Sequence, residues 1–514
     1  METEIKILYT SDVHGYVGDA HQRKGILRAA SLIKKLRANL KQHVVLIDNG
    51  DLIQGTSLAQ YAIDHEEVNP IISLYNEIGY EAAVFGNHEF NYGAKKLQSV
   101  VAQSRFPWIS ANIVRKDTDE PFYGKPYIVR EFNGFKIGIL GLTTKFVPVW
   151  EKPTNIQQLH FLDPVEVAPR WIKEMREKEQ VDFVIVSYHG GLEVHPETGD
   201  ELSECNGENQ GIQLIREVAG IDALFTGHQH IIVNEEVRGV SVLQTGTQGQ
   251  YVGALTIKAN KQADGWKTVK KTALLPVDEE EQDQQIYQLI EPIVKRADKW
   301  MDEKIGSAAA SFRYTDPLKE VWLQEHPVIE WMNRVQMETA NVDISCTALL
   351  NASCFGLQEK VTRKSILELY PFPNTLVVME LTGEQIREAL EVSASFFDVK
   401  SDGTVTIHPQ WEKPRSLSYN YDMWEGIDYI IDVRNPIGKR IKSIHYHGVP
   451  LKPTHPYKVV MSNYRATGTG GYEMVGRGKV IKEYKEEVSH LLMEAVIKAG
   501  TIHANVNHNW IIEY

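Results

Sequence analysis

Five short blocks of potential metal ligands, most of them directly behind a run of apolar residues, constrain this chain more than any other feature. They are Asp12-Val13-His14, Gly50-Asp51, Gly86-Asn87-His88-Glu89, Tyr188-His189-Gly190 and Gly227-His228-Gln229-His230. The apolar runs read as strands: Ile5–Thr10, Val44–Asp48, Ala82–Phe85, Ile137–Leu142, Phe183–Ser187, Ala223–Thr226 and Val240–Thr245. Between them, Ile26–Leu40, Pro70–Ile78, Ala94–Gln103, Val165–Lys178 and Gly211–Ala219 have apolar residues at helical spacing. This alternation predicts a layered α/β core. Open α/β sheets place ligands at the carboxyl ends of their strands, so blocks far apart in sequence are expected to meet along one edge.

Taken singly, each block is ordinary. An Asp-x-His triple is usually a surface loop, and Gly-Asp is usually a turn. Taken together they form a set of the right size for two metals sharing a carboxylate. Alternate side chains of an extended segment share a face, which pairs Asp12 with His14. His228 and His230 alternate in the same way, so that one can serve each metal. Asp51 is placed to bridge, with Gly50 allowing a sharp turn. Asn87 offers a hard carbonyl ligand and leaves His88 to face a substrate. Two such metals clamp a phosphate and activate water. The mixed nitrogen and oxygen set suits Mn²⁺, Zn²⁺, Fe or Co²⁺ better than Ca²⁺ or a thiolate zinc site.

At 514 residues the chain is too long for one ordinary core. The expected division is a metal domain over residues 1–277, an acidic start and connecting helix over 278–305, and a separate mixed region over 306–514. The acidic start is Asp278–Asp283, and the helix is expected over Ile286–Ile305. A net charge of −13 argues against long nucleic acids but not against a small nucleotide whose charge the metals meet. No stretch approaches the roughly 20 apolar residues of a membrane span. Cys205, Cys346 and Cys354 are too few for a disulfide framework and read as free thiols in a reducing compartment. The N-terminus enters a strand pattern without a secretory signal, so the chain reads as cytoplasmic, or exported if a leader was removed. A monomer is expected.

The blocks, in this order, resemble those of the calcineurin-like metallophosphoesterases, and within them the 5′-nucleotidase family, over essentially the whole chain. The resemblance implies an N-terminal αββα sandwich carrying a dinuclear site, a connecting helix, and a C-terminal mixed α/β domain for nucleotide specificity. It implies one metal on Asp12, His14, Asp51 and His230, and a second on Asp51, Asn87, His189 and His228. It makes His88 the catalytic histidine, which binds no metal, and places Asn87 and His88 against substrate. The implied reaction is hydrolysis of a phosphate ester by an activated hydroxide, without a covalent phosphoenzyme.

Two departures bear on the substrate. Many members resembling this chain carry Asn-His-Glu-Phe-Asp, whose Asp pairs with the histidine. Here Asn91 stands in that place and can orient His88 only through a hydrogen bond. A typical Gly-Gly-Gly-Ile-Arg segment is replaced by Leu350–Gly356, which has no arginine; Arg363 lies nearby but outside the motif. Both features, with Tyr370–Leu376 and Ser462–Gly468, resemble the bifunctional 2′,3′-cyclic-nucleotide 2′-phosphodiesterase/3′-nucleotidases. The resemblance places Tyr421 and Tyr464 where a base stacks between two rings, with Tyr419 as the alternative to Tyr421. The expected substrates are 2′,3′-cyclic nucleotides and 3′-nucleotides, ahead of 5′-nucleotides or UDP-sugars. A catalytically silent nucleotide-binding protein is the reading from another class.

Overall fold

The computed structural model describes residues 2–18, 22–39, 43–118, 120–203, 206–263, 265–412, 416–503 and 505–514. Leu40 and Cys205 lie outside the described residues. The chain divides into two units, Met1–Asp298 and Lys299–Tyr514.

In the first unit, Glu2–Thr10, His43–Asp48, Ala82–Val84 and Trp108–Ile109 pair in parallel in that order. Tyr251–Gln262 and Gly265–Pro276 extend this sheet antiparallel beyond Glu2–Thr10. A second six-stranded sheet has a parallel centre of Phe135–Thr143, Phe183–His189, Ala223–Thr226 and Val240–Thr245. Tyr127–Phe132 and Ile232–Val237 close its two edges antiparallel.

The central strands of both sheets are buried on both faces, which is why they read as near-continuous apolar runs. Ile5, Ile7, Val45 and Ile47 of the first sheet meet Ile137, Ile139, Ile185 and Phe225 of the second. Tyr9 stacks on Phe225 there, with ring centroids 4.3 Å apart. Residues of the helices Ile26–Asn39, Pro70–Ile78 and Ala94–Gln103 share a core with the outer face of the first sheet. Those of Pro164–Glu177 and Gly211–Glu217 do the same for the second. The expected αββα sandwich forms. Pro70–Ile78 shows why its limits were readable: Asn69 Oδ1 accepts from Ile71 and Ile72 N–H, Pro70 opens the helix, and Gly79 closes it at φ 81°.

The connecting helix differs from expectation. It runs Gln284–Asp302, stopping before Ile305 because Lys304–Ala308 is a strand paired with Lys360–Thr362 and Thr501–Ile502. The acidic start is no free tether. Lys35 pairs with Glu280 at 2.5 Å, Lys34 with Asp283 at 3.4 Å, and Arg28 donates to the Glu280 carbonyl. Ile286, Ile290 and Ala297 lie in the core of the first unit. Apolar spacing revealed the helix, but only the folded basic face of Ile26–Asn39 shows where the acidic run docks.

The second unit has a five-stranded mixed sheet in the order Asp422–Glu425, Ile344–Ala348, Pro456–Ser462, Thr375–Thr382, Lys479–Glu487. Residues of the helices Pro327–Ala340, Gly383–Ala394 and Val488–Ala499 share its core. One buried carboxyl there has a consequence for stability. Glu425 is 7% exposed and hydrogen-bonds Glu330; burial first, then Glu330, pushes it up to about 8. The folded state therefore keeps this proton where the unfolded chain, near 4.5, has lost it. Its contribution is fully present below that unfolded value and is lost as pH rises through the folded one. Glu425→Gln should raise the melting temperature over the parent at about pH 9 and leave it unchanged at about pH 4, as read by calorimetry. An equal shift at both pH values would show that the effect is not ionisation.

Candidate functional site

Parallel strands end on one side of a sheet, so the loops behind them converge. Asp12, Asp51 and Asn87 follow strands of the first sheet, while His189 ends a strand of the second and His228 follows another. Two donor groups result. The ligand atoms of Asp12, His14 and His230 lie within 4.8 Å of one another, as do those of Asp51, His189 and His228. Asn87 joins the second group, its Oδ1 3.2 Å from His189 Nε2 and 2.9 Å from His228 Nδ1. Asp51 Oδ2 faces both groups, 3.2 Å from His189 Nε2 and 3.9 Å from His14 Nε2. All the ligand positions singled out in the sequence are brought together.

The backbone is bent to achieve this. Asp12, His14, Asp51, His228 and His230 have φ between 53° and 70°. Such conformations cost a non-glycine residue roughly 1–3 kcal/mol and persist where the surroundings over-determine them. Two of the glycines serve close approach rather than turning. A Cβ at Gly86 would strike the Asp51 carboxylate, and one at Gly227 would stand 2.7 Å from Asp12 Oδ2.

Hydrogen bonds behind the ligands choose which nitrogen faces inward. His189 Nδ1 meets Asn49 O at 2.7 Å, and His14 Nδ1 meets Gln54 O at 3.2 Å. A carbonyl only accepts, so both Nδ1 atoms carry hydrogen and both Nε2 atoms turn to the donor groups. His228 is reversed: Nδ1 faces Asn87, while Nε2 meets Glu208 Oε1 at 3.0 Å. His14 Nε2 and His230 Nε2 point at each other across 3.0 Å, beside the carboxylates of Asp12 and Asp51.

The field matches this chemistry. Burial alone would raise Asp51, but His189, His88 and His14 outweigh it and hold the carboxyl well below its usual range. Burial alone would lower His189, yet Asp51 and Asp12 raise it to about 10. Positive charge is therefore favoured between His189 and Asp51. The bent ligand loops, inward nitrogens and central carboxylate fit two divalent metals.

Sequence reasoning passed over Glu89 and Glu208. Glu89 is fully buried and accepts from the N–H groups of Asp51 and Leu52 at 2.8 Å and of Gly86 at 2.6 Å, tying two ligand loops together. Its place beside His88 was the available signal. Glu208 lies in no motif and had none.

His88 stands outside the donor groups. Its backbone N–H donates to Asp51 Oδ1 at 2.8 Å, its ring lies edge-on to His14 with centroids 5.3 Å apart, and its Nδ1 meets Asn91 Oδ1 at 2.7 Å.

The second unit carries a groove lined by Phe372, Asn374, Tyr419, Asp422, Tyr464 and Arg465, among others. Tyr464 is placed there. Tyr421 is not: it is 1% exposed, stacked on Phe396 at 4.6 Å, with its hydroxyl donating to Trp322 O. The turn Ser418–Asn420 puts Tyr419 on the groove, with its ring 6.0 Å from that of Phe372, and sends Tyr421 into the core. Phe372 was overlooked, although a phenylalanine between two prolines is a poor sheet-interior residue and so a surface candidate. Arg363 does not stand in for the missing arginine; its guanidinium lies 4.2 Å from the Trp300 ring centroid and donates to Trp300 O. Arg465 is 3% exposed and bound by Asp422 at 2.5 Å and Asn420 O at 3.2 Å.

Residues 5–231 match the family model for calcineurin-like phosphoesterases, and residues 303–477 match that for the 5′-nucleotidase C-terminal domain. The sandwich and its paired donor groups define a metallophosphoesterase. The chain is 30% identical to a candidate 5′-nucleotidase from Staphylococcus aureus, solved in complex with α-ketoglutarate, with 100% of both chains covered and a TM-score of 0.69. It is 29% identical to the 2′,3′-cyclic-nucleotide 2′-phosphodiesterase/3′-nucleotidase of Haemophilus influenzae, over 99% of this chain and 87% of that protein. The Salmonella typhimurium protein of the same description is 27% identical over 99% and 88%. The chain belongs to the 5′-nucleotidase family of metal-dependent phosphoester hydrolases. No helix among the described residues is long and apolar enough to cross a membrane.

Proposed function

We propose that this enzyme hydrolyses 2′,3′-cyclic nucleotides and 3′-nucleotides, that the donor groups of the first unit carry the phosphate chemistry, and that the groove of the second unit binds a nucleotide base. One divalent metal is assigned to Asp12, His14, Asp51 and His230, the other to Asp51, Asn87, His189 and His228. Mn²⁺, Zn²⁺, Fe and Co²⁺ all suit these donors. When bound, the metals offset charge on the phosphoryl oxygens and make water nucleophilic at neutral pH. The chain's own residues do the rest. Glu89 holds the ligand loops in register, and His88 keeps a proton at Nδ1 toward Asn91 and leaves Nε2 for a phosphoryl oxygen or the leaving alkoxide. The free thiols of Cys346 and Cys354 fit a reducing, cytoplasmic setting.

The observation that carries the nucleotide reading is the groove. Phe372, Tyr419 and Tyr464 offer it rings, and its guanidinium, on Arg465, is already paired with Asp422. Such a groove suits a flat, neutral base rather than a second phosphate. Asn91, the arginine-free Leu350–Gly356 and the likeness to the Haemophilus influenzae protein support the cyclic and 3′ substrates. The second reading is a 5′-nucleotidase or UDP-sugar hydrolase, and the likeness to the Staphylococcus aureus protein supports its 5′-nucleotidase part. The Mn²⁺-loaded enzyme should turn over 2′,3′-cyclic AMP and 3′-AMP faster than 5′-AMP or UDP-glucose. Dominant 5′-AMP turnover would replace the first reading with the second. Bound metal without hydrolysis of any ester would leave a nucleotide-binding protein.

A further inference from the structure

We propose that Glu151 is a positioning residue for His88, acting through the side-chain amide of Asn91. Glu151 follows the short helix Val147–Trp150 and is 5% exposed. Its carboxylate collects three donors: Asn91 Nδ2 at 2.7 Å on Oε2, and Lys152 N at 2.7 Å and Asn155 Nδ2 at 2.8 Å on Oε1. Asn155 Nδ2 also donates to Asn91 O at 3.0 Å, so the same side chain braces the Asn91 backbone.

The consequence runs from donor to acceptor. A carboxylate only accepts, so the end of the Asn91 amide that meets Glu151 is its NH₂. The carbonyl end therefore meets His88 Nδ1, at 2.7 Å. That oxygen also only accepts, so Nδ1 carries hydrogen and the ring is held in one tautomer, with Nε2 left for the substrate side. Asn91 cannot make this choice alone. It is exposed, and an amide turned end for end presents NH₂ to the ring and favours the opposite tautomer. Glu151 removes that freedom from one hydrogen bond further away. The three residues form a chain in which the negative charge sits behind a neutral amide rather than against the imidazole.

The tautomer is independent of the proposed reaction; only its effect on rate rests on the phosphoesterase reading. In ¹⁵N-histidine-labelled, metal-free protein, the His88 ring signals, assigned by their loss in His88→Asn, should report Nδ1–H in the parent and a tautomer mixture in Glu151→Gln. With Mn²⁺ and bis(p-nitrophenyl) phosphate, kcat of Glu151→Gln should fall roughly ten-fold with KM unchanged, in line with outer partners of a functional histidine. Asn91→Asp alone sets two carboxylates at hydrogen-bond distance and should lose a similar factor. The double variant Asn91→Asp with Glu151→Gln restores one carboxylate and one amide in reversed order, and should regain the Nδ1–H form and most of kcat. An unchanged tautomer in Glu151→Gln, or a double variant no better than the singles, would overturn the proposal. Should Glu151→Gln fail to fold, Asn91→Asp against the double variant decides it. A tautomer mixture in Glu151→Gln, with a parent that hydrolyses no phosphate ester, would support the positioning and overturn the phosphoesterase reading instead.

Discussion

Asp51→Asn should lower kcat/KM on any phosphate ester by roughly 10³-fold or more, because it removes the carboxylate proposed to be shared by two metals, which when bound would jointly stabilise the phosphoryl charge. Asp51 is 1% exposed, and its Oδ1 accepts the His88 N–H, so the amide oxygen of the variant would be claimed there. The new NH₂ would then occupy the place of Oδ2, directed at His189 Nε2 and His14 Nε2. A donor aimed at two inward nitrogens repels the cation those nitrogens are arranged to receive. Metal content by mass spectrometry should fall together with turnover. A variant that keeps both metals and most of its rate would show that Asp51 does not bridge.

Tyr421→Ala and Tyr464→Ala should fail in opposite ways. Tyr421 is buried against Phe396 and Phe397, so its removal opens a core cavity and should cost about 3–5 kcal/mol of stability in the second unit. Where the variant remains folded, its KM for nucleotides should be near that of the parent. Tyr464 lines the groove, and losing one base–ring stack is worth about 1–3 kcal/mol, a rise in nucleotide KM of roughly 5- to 150-fold. Tyr419→Ala should behave like Tyr464→Ala. Neither change should alter KM for p-nitrophenyl phosphate, which has no base. Denaturant melts and paired KM measurements separate the cases. A rise confined to nucleotides in Tyr421→Ala would return base stacking to Tyr421.

The difference between the two tyrosines shows what kind of information a motif carries. Tyr419, Tyr421 and Tyr464 share a residue type and sit in recognisable segments, yet which ring is exposed depends on the turn Ser418–Asn420 and on the Phe396 ring, 4.6 Å from that of Tyr421. Phe396 is 25 positions before Tyr421, and nothing local announces the pair. Glu151 lies 60 positions from Asn91, and Glu208 lies 20 from His228. Each of these partners becomes visible only when segments remote in the chain are packed against one another.

The sequence by itself determined the sandwich and the side chains that gather in its two donor groups. Buried parallel strands must be apolar along their length, helices must repeat near every 3.6 residues, and a two-metal site must recruit hard donors behind strand ends. Those demands act on short stretches and leave a short-range record. The tertiary structure decided the rest: which histidine nitrogen faces inward, which ring lines the groove, where the acidic run docks, and what holds Asn91 in one orientation. These depend on hydrogen bonds and packing between residues remote in the chain, where a single polar partner settles the outcome and local pattern carries no trace of it.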